Sequence, residues 1–221
     1  MDLVMSSWIP TTVASSLADL ESLAKEVNRL SAEDPLGEAL HFLSNWLIVR
    51  SCGHIEITEQ ACVEDLFDRC FGSVVHHYVD STAFRSGRNP NPSNLISLLK
   101  QIDPSGQLAI QLKDYLKTEG HDDEGCLALL DTLKDHLEAI VGARNSIVHG
   151  YSLHLTADTA VGRCEVAKRI SEWYLDVFAP QGVAERIILG EAASEHESIN
   201  EVRRQTAVQR LGLRREEDRE T

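Results

Sequence analysis

Positive charge is what this chain has least of. Its 21 lysines and arginines stand against 35 aspartates and glutamates, a formal charge of -14 near neutrality. Nonspecific affinity for nucleic acid comes largely from cations that neutralise phosphates, so broad RNA or DNA binding is excluded. Acidic bulk fits instead a protein partner with a basic face, a small nucleotide, or an enzyme that gathers positive potential only where a phosphate reacts. Aromatic residues make up 5% of the chain, and no platform for stacking bases is recognisable. The five cysteines, Cys52, Cys62, Cys70, Cys126 and Cys164, contain no C-x2-C pair and read as small core residues kept reduced. His76-His77, and His41 with Glu38, lack partners at ligand spacing and read as surface histidines, so neither a metal nor another cofactor is expected. No apolar run reaches the length of about 18 residues that spans a bilayer. The start, Met1 to Trp8, has no basic patch of the kind that opens a secretory signal. A cytoplasmic protein without membrane contact is expected.

What the chain has in quantity is apolar residues at helical spacing. With 221 residues and 43% hydrophobic content it is long enough for one sizeable core. Pro10-Thr11-Thr12 opens a helix carrying Val13, Leu17, Leu20, Leu23, Val27 and Leu30, and this N-terminal arm of residues 1–33 covers the core, clasps a second subunit or docks a partner. Asp34-Pro35 reads as the cap and first position of the next helix, which runs through Leu40, Leu43, Leu47 and Ile48 toward Tyr78, with Gly53 as a place for a kink. Residues 85–93 form the clearest internal loop and bring Arg85 and Arg88. Ser93 is the expected cap of a helix through Leu98 and Ile102, and Asp103 to Gly106 separates it from one bearing Leu108, Leu112, Tyr115 and Leu116. Gly120 to Glu124 introduces a further helix, and another spans Thr156 to Phe178, with a short helix to Leu189 after it. The expectation is an all-α fold with no strands: residues 34–190 as a helical domain, and 191–221 as a charged tail that is either solvated or folds on a partner.

One stretch carries chemistry. Leu130, Leu133, Leu137, Ile140 and Ile147 recur at three- and four-residue spacing, and Arg144 falls inside that stripe. A guanidinium where the pattern reserves a hydrophobe must find an anion or a hydrogen-bond partner. Asn145 and His149, four residues apart, share a face that the long arginine stem can reach. Gly150 follows as a helix stop. An imidazole titrating near neutrality suits proton transfer, and with Arg144 and Asn145 it makes a site for a small anion. The plainer alternative is that His149 caps carbonyls while Arg144 pairs with a neighbouring carboxylate.

Ala143-Arg144-Asn145-Ser146-Ile147-Val148-His149-Gly150, late in an all-helical chain, resembles the R-N-x-x-x-H signature of the HEPN superfamily. Leu47 to Glu56 is similar to the first core helix of its RiboL-PSP-HEPN branch, and Asn94 to Leu99 to the segment between, so the resemblance spans roughly residues 36 to 178. It implies an antiparallel helical bundle and a metal-independent endoribonuclease, often a toxin or antiviral effector, whose site forms where two motifs meet across a homodimer. It further implies that His149 moves protons, Arg144 stabilises phosphoryl charge, Asn145 positions His149 or the phosphate, and Glu56 orients Arg144 or the imidazole. The other reading of Glu56 is an ordinary surface carboxylate. Arg50 and Arg88, with Arg85 and Lys100, are the candidates for a local substrate-binding pocket. Not every HEPN domain cleaves RNA. The enzyme reading brings with it an inhibitory or activating protein partner, and a noncatalytic module that binds a nucleotide or RNA, or serves as a partner-binding adaptor, is the alternative.

Overall fold

The computed structural model describes residues 8–71, 89–118, 132–151 and 153–190, and over these the chain is all-helical. Seven helices follow in order: α1 (Thr11–Glu33), α2 (Glu38–Phe71), α3 (Pro92–Ile102), α4 (Gln107–Tyr115), α5 (Leu133–Val148), α6 (Ala157–Phe178) and α7 (Val183–Ile188). None of them is long and apolar enough to cross a membrane.

The spine is α2, whose 34 residues run through Gly53 as one uninterrupted helix. It is buried on several faces, so hydroxyl residues occur among its core positions, and they bond back into the helix. Ser51 Oγ donates to the Leu47 carbonyl at 2.7 Å and Thr58 Oγ1 to the His54 carbonyl at 2.8 Å. Its main partner is α6, which presents the small residues Ala160, Cys164, Ala167 and Ser171 among its buried positions. The two run parallel: the Tyr174 hydroxyl donates to Glu59 at 3.5 Å, and farther along Arg69 Nη2 donates to the Phe178 carbonyl at 2.6 Å. Arg69 also pairs with Asp65 on its own helix and with Glu185 of α7, which ties the last helix to the end of the spine.

Helix α1 fills the groove on one side of this pair. Val13, Ser16, Leu20, Ala24 and Val27 are its buried stripe, and Ser16 Oγ meets His54 Nδ1 at 3.1 Å. Residues 11–33 therefore belong to the common core. Helix α5 lies on the other side against α2 and α6. Helices α3 and α4 form a hairpin whose turn is organised by buried Asp103. Its Oδ1 accepts from the Ser105 N–H and its Oδ2 from the Leu108 N–H, both at 2.9 Å, while Gly106 takes φ +75°. The hairpin is anchored by Tyr115, stacked on Trp173 with centroids 6.2 Å apart and donating to the Arg169 carbonyl at 3.0 Å.

Two expected helix starts are corrected. Asp34 does not cap α2: its N–H closes the end of α1 on the Leu30 carbonyl and its own carbonyl receives the Gly37 N–H, so Pro35 and Leu36 form a turn and α2 starts at Glu38. The cap of α3 is Asn91, not Ser93. Asn91 Oδ1 accepts from the Asn94 N–H at 2.9 Å and Pro92 takes the first helical position. The continuation of α2 toward Tyr78, the segment Gly120 to Glu124, Leu130, Cys126, His76-His77 and the tail of 191–221 lie outside the described residues.

Burial, and after it the Arg50 and Lys168 charges, push the His54 imidazole down to about 4 from an ordinary 6.5. The unfolded chain thus takes up a proton that the folded chain refuses. Stability from this group is complete above pH 6.5 and is lost as the pH falls toward 4. The loss amounts to up to about 3 kcal/mol at about 1.4 kcal/mol per pH unit. Urea unfolding of wild type and His54→Gln across that window is expected to show a shallower acid-side decline in the variant. Equal slopes would contradict the assignment. Leu20→Ala is expected to cost about 2–5 kcal/mol in the same assay, as a core truncation does, and a cost below about 1 kcal/mol would contradict membership of α1 in the core.

Candidate active site at the end of α5

Helix α5 starts on Thr132, whose Oγ1 accepts from the Asp135 N–H at 3.3 Å, and buries Leu133, His136, Leu137, Ile140, Val141 and Ala143. Arg144 continues that face half-buried, at the point where the helix leaves the core. Four residues later the helix stops in a Schellman arrangement. Gly150, at φ +83°, donates its N–H to the Ile147 carbonyl, and the Tyr151 N–H reaches the Ser146 carbonyl, both at 3.0 Å. His149 is the capping residue, with φ -82° and ψ 7°, and its N–H bonds to the Asn145 carbonyl. Because the chain has already left the helix there, the imidazole is exposed, between the exposed apolar side chains of Val148 and Tyr151.

The guanidinium is held by neutral amides. Arg144 Nη1 donates to Asn89 Oδ1 at 2.8 Å and to Asn145 Oδ1 at 3.1 Å, and Asn89 Nδ2 donates to Asn145 Oδ1 at 3.3 Å. Nη1 carries two protons, and these two bonds use both. The Nε–Nη2 edge, the bidentate fork that matches a phosphate or carboxylate, bonds to no described residue. Beneath it lies α2. Burial raises the Glu56 carboxyl above its ordinary value while the Arg144 charge pulls it back, and burial raises the Cys52 thiol to about 12, with Glu56 adding to the rise and Arg144 opposing it. Cys52 is therefore an inert neighbour, and Glu56 a carboxyl within the field of the guanidinium but not bonded to it.

Arg144, Asn145 and Glu56 thus come together, with His149 five residues on, at the exposed end of α5 and roughly 140° round the helix from Arg144 at about 3.6 residues per turn. Arg50 does not join them. It lies roughly 120° round α2 from Glu56, at about 3.6 residues per turn. There it faces α1, bonds Asp19 at 3.4 Å and lines the groove beside Thr12, Ser15 and Gln60. Lys100 is exposed on α3. Arg85 and Arg88 lie outside the described residues, Arg88 immediately before Asn89. Among the described residues no group of three or more His, Cys, Asp or Glu stands together as metal ligands. Asn89 is the residue that sequence reasoning missed. It sits in the loop singled out for its arginines, where the Asn-Pro-Asn-Pro pattern signalled a rigid turn but not which side chain it would present.

Comparison of the chain with protein-family models, with curated proteins and with solved structures finds no match.

The opposition between burial and Arg144 at Glu56 is measurable. Carboxyl carbon titration by NMR is expected to move Glu56 upward in Arg144→Gln, since burial then acts alone. An unchanged or lower midpoint would contradict the pairing of the two groups across α2 and α5.

Proposed function

We propose that the chain is a metal-independent endoribonuclease of HEPN type, whose active site is completed by a second copy and which acts in the cytoplasm as a toxin or defence effector. One observation carries this reading: a guanidinium whose bidentate edge bonds to no described residue, five residues before an exposed imidazole at the end of the same helix. A structural arginine is normally closed by a carboxylate, and a histidine that merely caps is normally folded onto carbonyls. The R-N-x-x-x-H order and the helical scaffold around it support the same reading.

In this chemistry the ribose 2'-oxygen attacks the adjacent phosphorus, a 2',3'-cyclic phosphate forms and the bond to the 5'-oxygen breaks. One imidazole takes the 2'-hydroxyl proton, another gives a proton to the departing 5'-oxygen, and Arg144 holds the nonbridging oxygens as charge builds on them. Each chain offers one His149, so a two-fold axis beside the end of α5 supplies the second proton carrier. Exposed Val148 and Tyr151 give that axis an apolar surface to bury. The net charge of -14 favours a second reading, a noncatalytic module that binds a basic protein. The toxin role, and a partner protein that restrains or triggers it, follow from the resemblance.

Induction in cells is expected to fragment RNA and stop growth with wild type, and to do neither with His149→Ala. With purified protein, His149→Ala and Arg144→Ala each lower cleavage by about 10²- to 10⁴-fold, and chelator leaves the wild-type rate unchanged. Equal RNA integrity in wild type and His149→Ala would favour the noncatalytic module. Light scattering is expected to give a dimer that Tyr151→Asp weakens, and a strict monomer at tens of micromolar would remove the composite site.

A further inference from the structure

The Nε–Nη2 edge of Arg144 has no partner among the described residues because Nη1 holds the guanidinium from its other side. Asn89 does this from across the site, and its own position is fixed. Its carbonyl accepts from Asn94 Nδ2 at 2.9 Å and from the Asn91 N–H at 2.8 Å, and the next residue, Pro90, is buried. The amide is therefore presented by the first turn of α3, which itself packs on α5. Glu56 is the competitor. A carboxylate is a stronger acceptor for a guanidinium than an amide, and an arginine released from Asn89 would swing onto it. Such an ion pair would cover the bidentate edge and cancel the charge that attracts an anion. Two amides orient the cation without neutralising it.

We infer that Asn89 is a positioning residue of this site: its side-chain oxygen sets the roll of the Arg144 guanidinium, keeps it off Glu56, and leaves the Nε–Nη2 edge charged and open to the nonbridging oxygens of a phosphodiester. The substrate in that statement rests on the ribonuclease reading, while the geometry does not.

Aspartate and alanine at this position separate the roles. Asn89→Asp keeps an oxygen for Arg144 Nη1, so the fold is retained, but it adds the charge that cancels the cation. Asn89→Ala removes the bond and frees the guanidinium to reach Glu56. Cleavage of a short RNA is expected to fall at least tenfold in each. In Asn89→Asp the ratio of variant to wild-type rate should rise as the pH falls through the carboxylate range, because a protonated carboxyl is again a neutral acceptor; a purely structural defect has no reason to follow that profile. The second arm needs no activity. In nitrogen NMR the Arg144 Nη signals are expected at one set of positions in wild type and at another in Asn89→Ala, where the guanidinium has passed from an amide to the Glu56 carboxylate, and the Glu56 midpoint is expected to fall in that variant. Identical Nη signals and Glu56 midpoints in both, or full cleavage by both variants beside an inactive Arg144→Ala, would overturn the inference. Failure of the ribonuclease reading would show separately, as a wild type that cuts no RNA while its Arg144 signals still differ from those of Asn89→Ala.

Discussion

A cation at the edge of an apolar face, satisfied by two neutral amides, is the constraint on which the rest of this site depends. Leu137 and Ile140 are fully buried two turns and one turn before Arg144, so the guanidinium emerges from the core with part of its hydration already stripped away. Hydrogen bonds to a charged group contribute about 1.5–3 kcal/mol net, enough to hold one side of it. A carboxylate would hold it more firmly and end its chemistry. The amides of Asn89 and Asn145 leave the charge intact, and the stop at Gly150 sets an imidazole beyond it in the open.

The scaffold serves that arrangement by stiffness. Helix α2 passes under the site and contributes Cys52 and Glu56 from the same length that receives Ser16 of α1 at His54. The contacts of α2 with α1, α5 and α6 fix the angle at which α5 ends. The α3–α4 hairpin is held on α6 by Tyr115 and Trp173, and at its other end it delivers Asn89. The site thus draws on α2, α5 and the entry to α3, three segments far apart in the chain and brought together by one core.

Much of this was legible from residue spacing, and the failures have physical reasons. Periodicity located the helices around α2 because one face of each is buried, and Gly150 marked the end of α5 because only a left-handed residue closes that turn without strain. Asp34-Pro35 misled because Asp34 is already spent as the terminus of α1. The proline rule that failed there holds at Asn91-Pro92, where Ser93 was the expected cap. Arg50 was grouped with the other cations as part of a local pocket, although helical phase turns it away from Glu56 and toward α1. Asn89 was beyond reach: a loop asparagine has no periodicity, and its bond to Arg144 crosses 55 positions of chain.

The most direct test of the account is the chemistry of the cut ends. Mass spectrometry of a defined RNA incubated with purified protein should find 2',3'-cyclic phosphate on one fragment and a 5'-hydroxyl on the other. It should find no products when the attacking 2'-hydroxyl is replaced by hydrogen. Fragments ending in a 5'-phosphate, or cleavage of the 2'-deoxy substrate at the same bond, would contradict a site built from an open guanidinium and a pair of imidazoles.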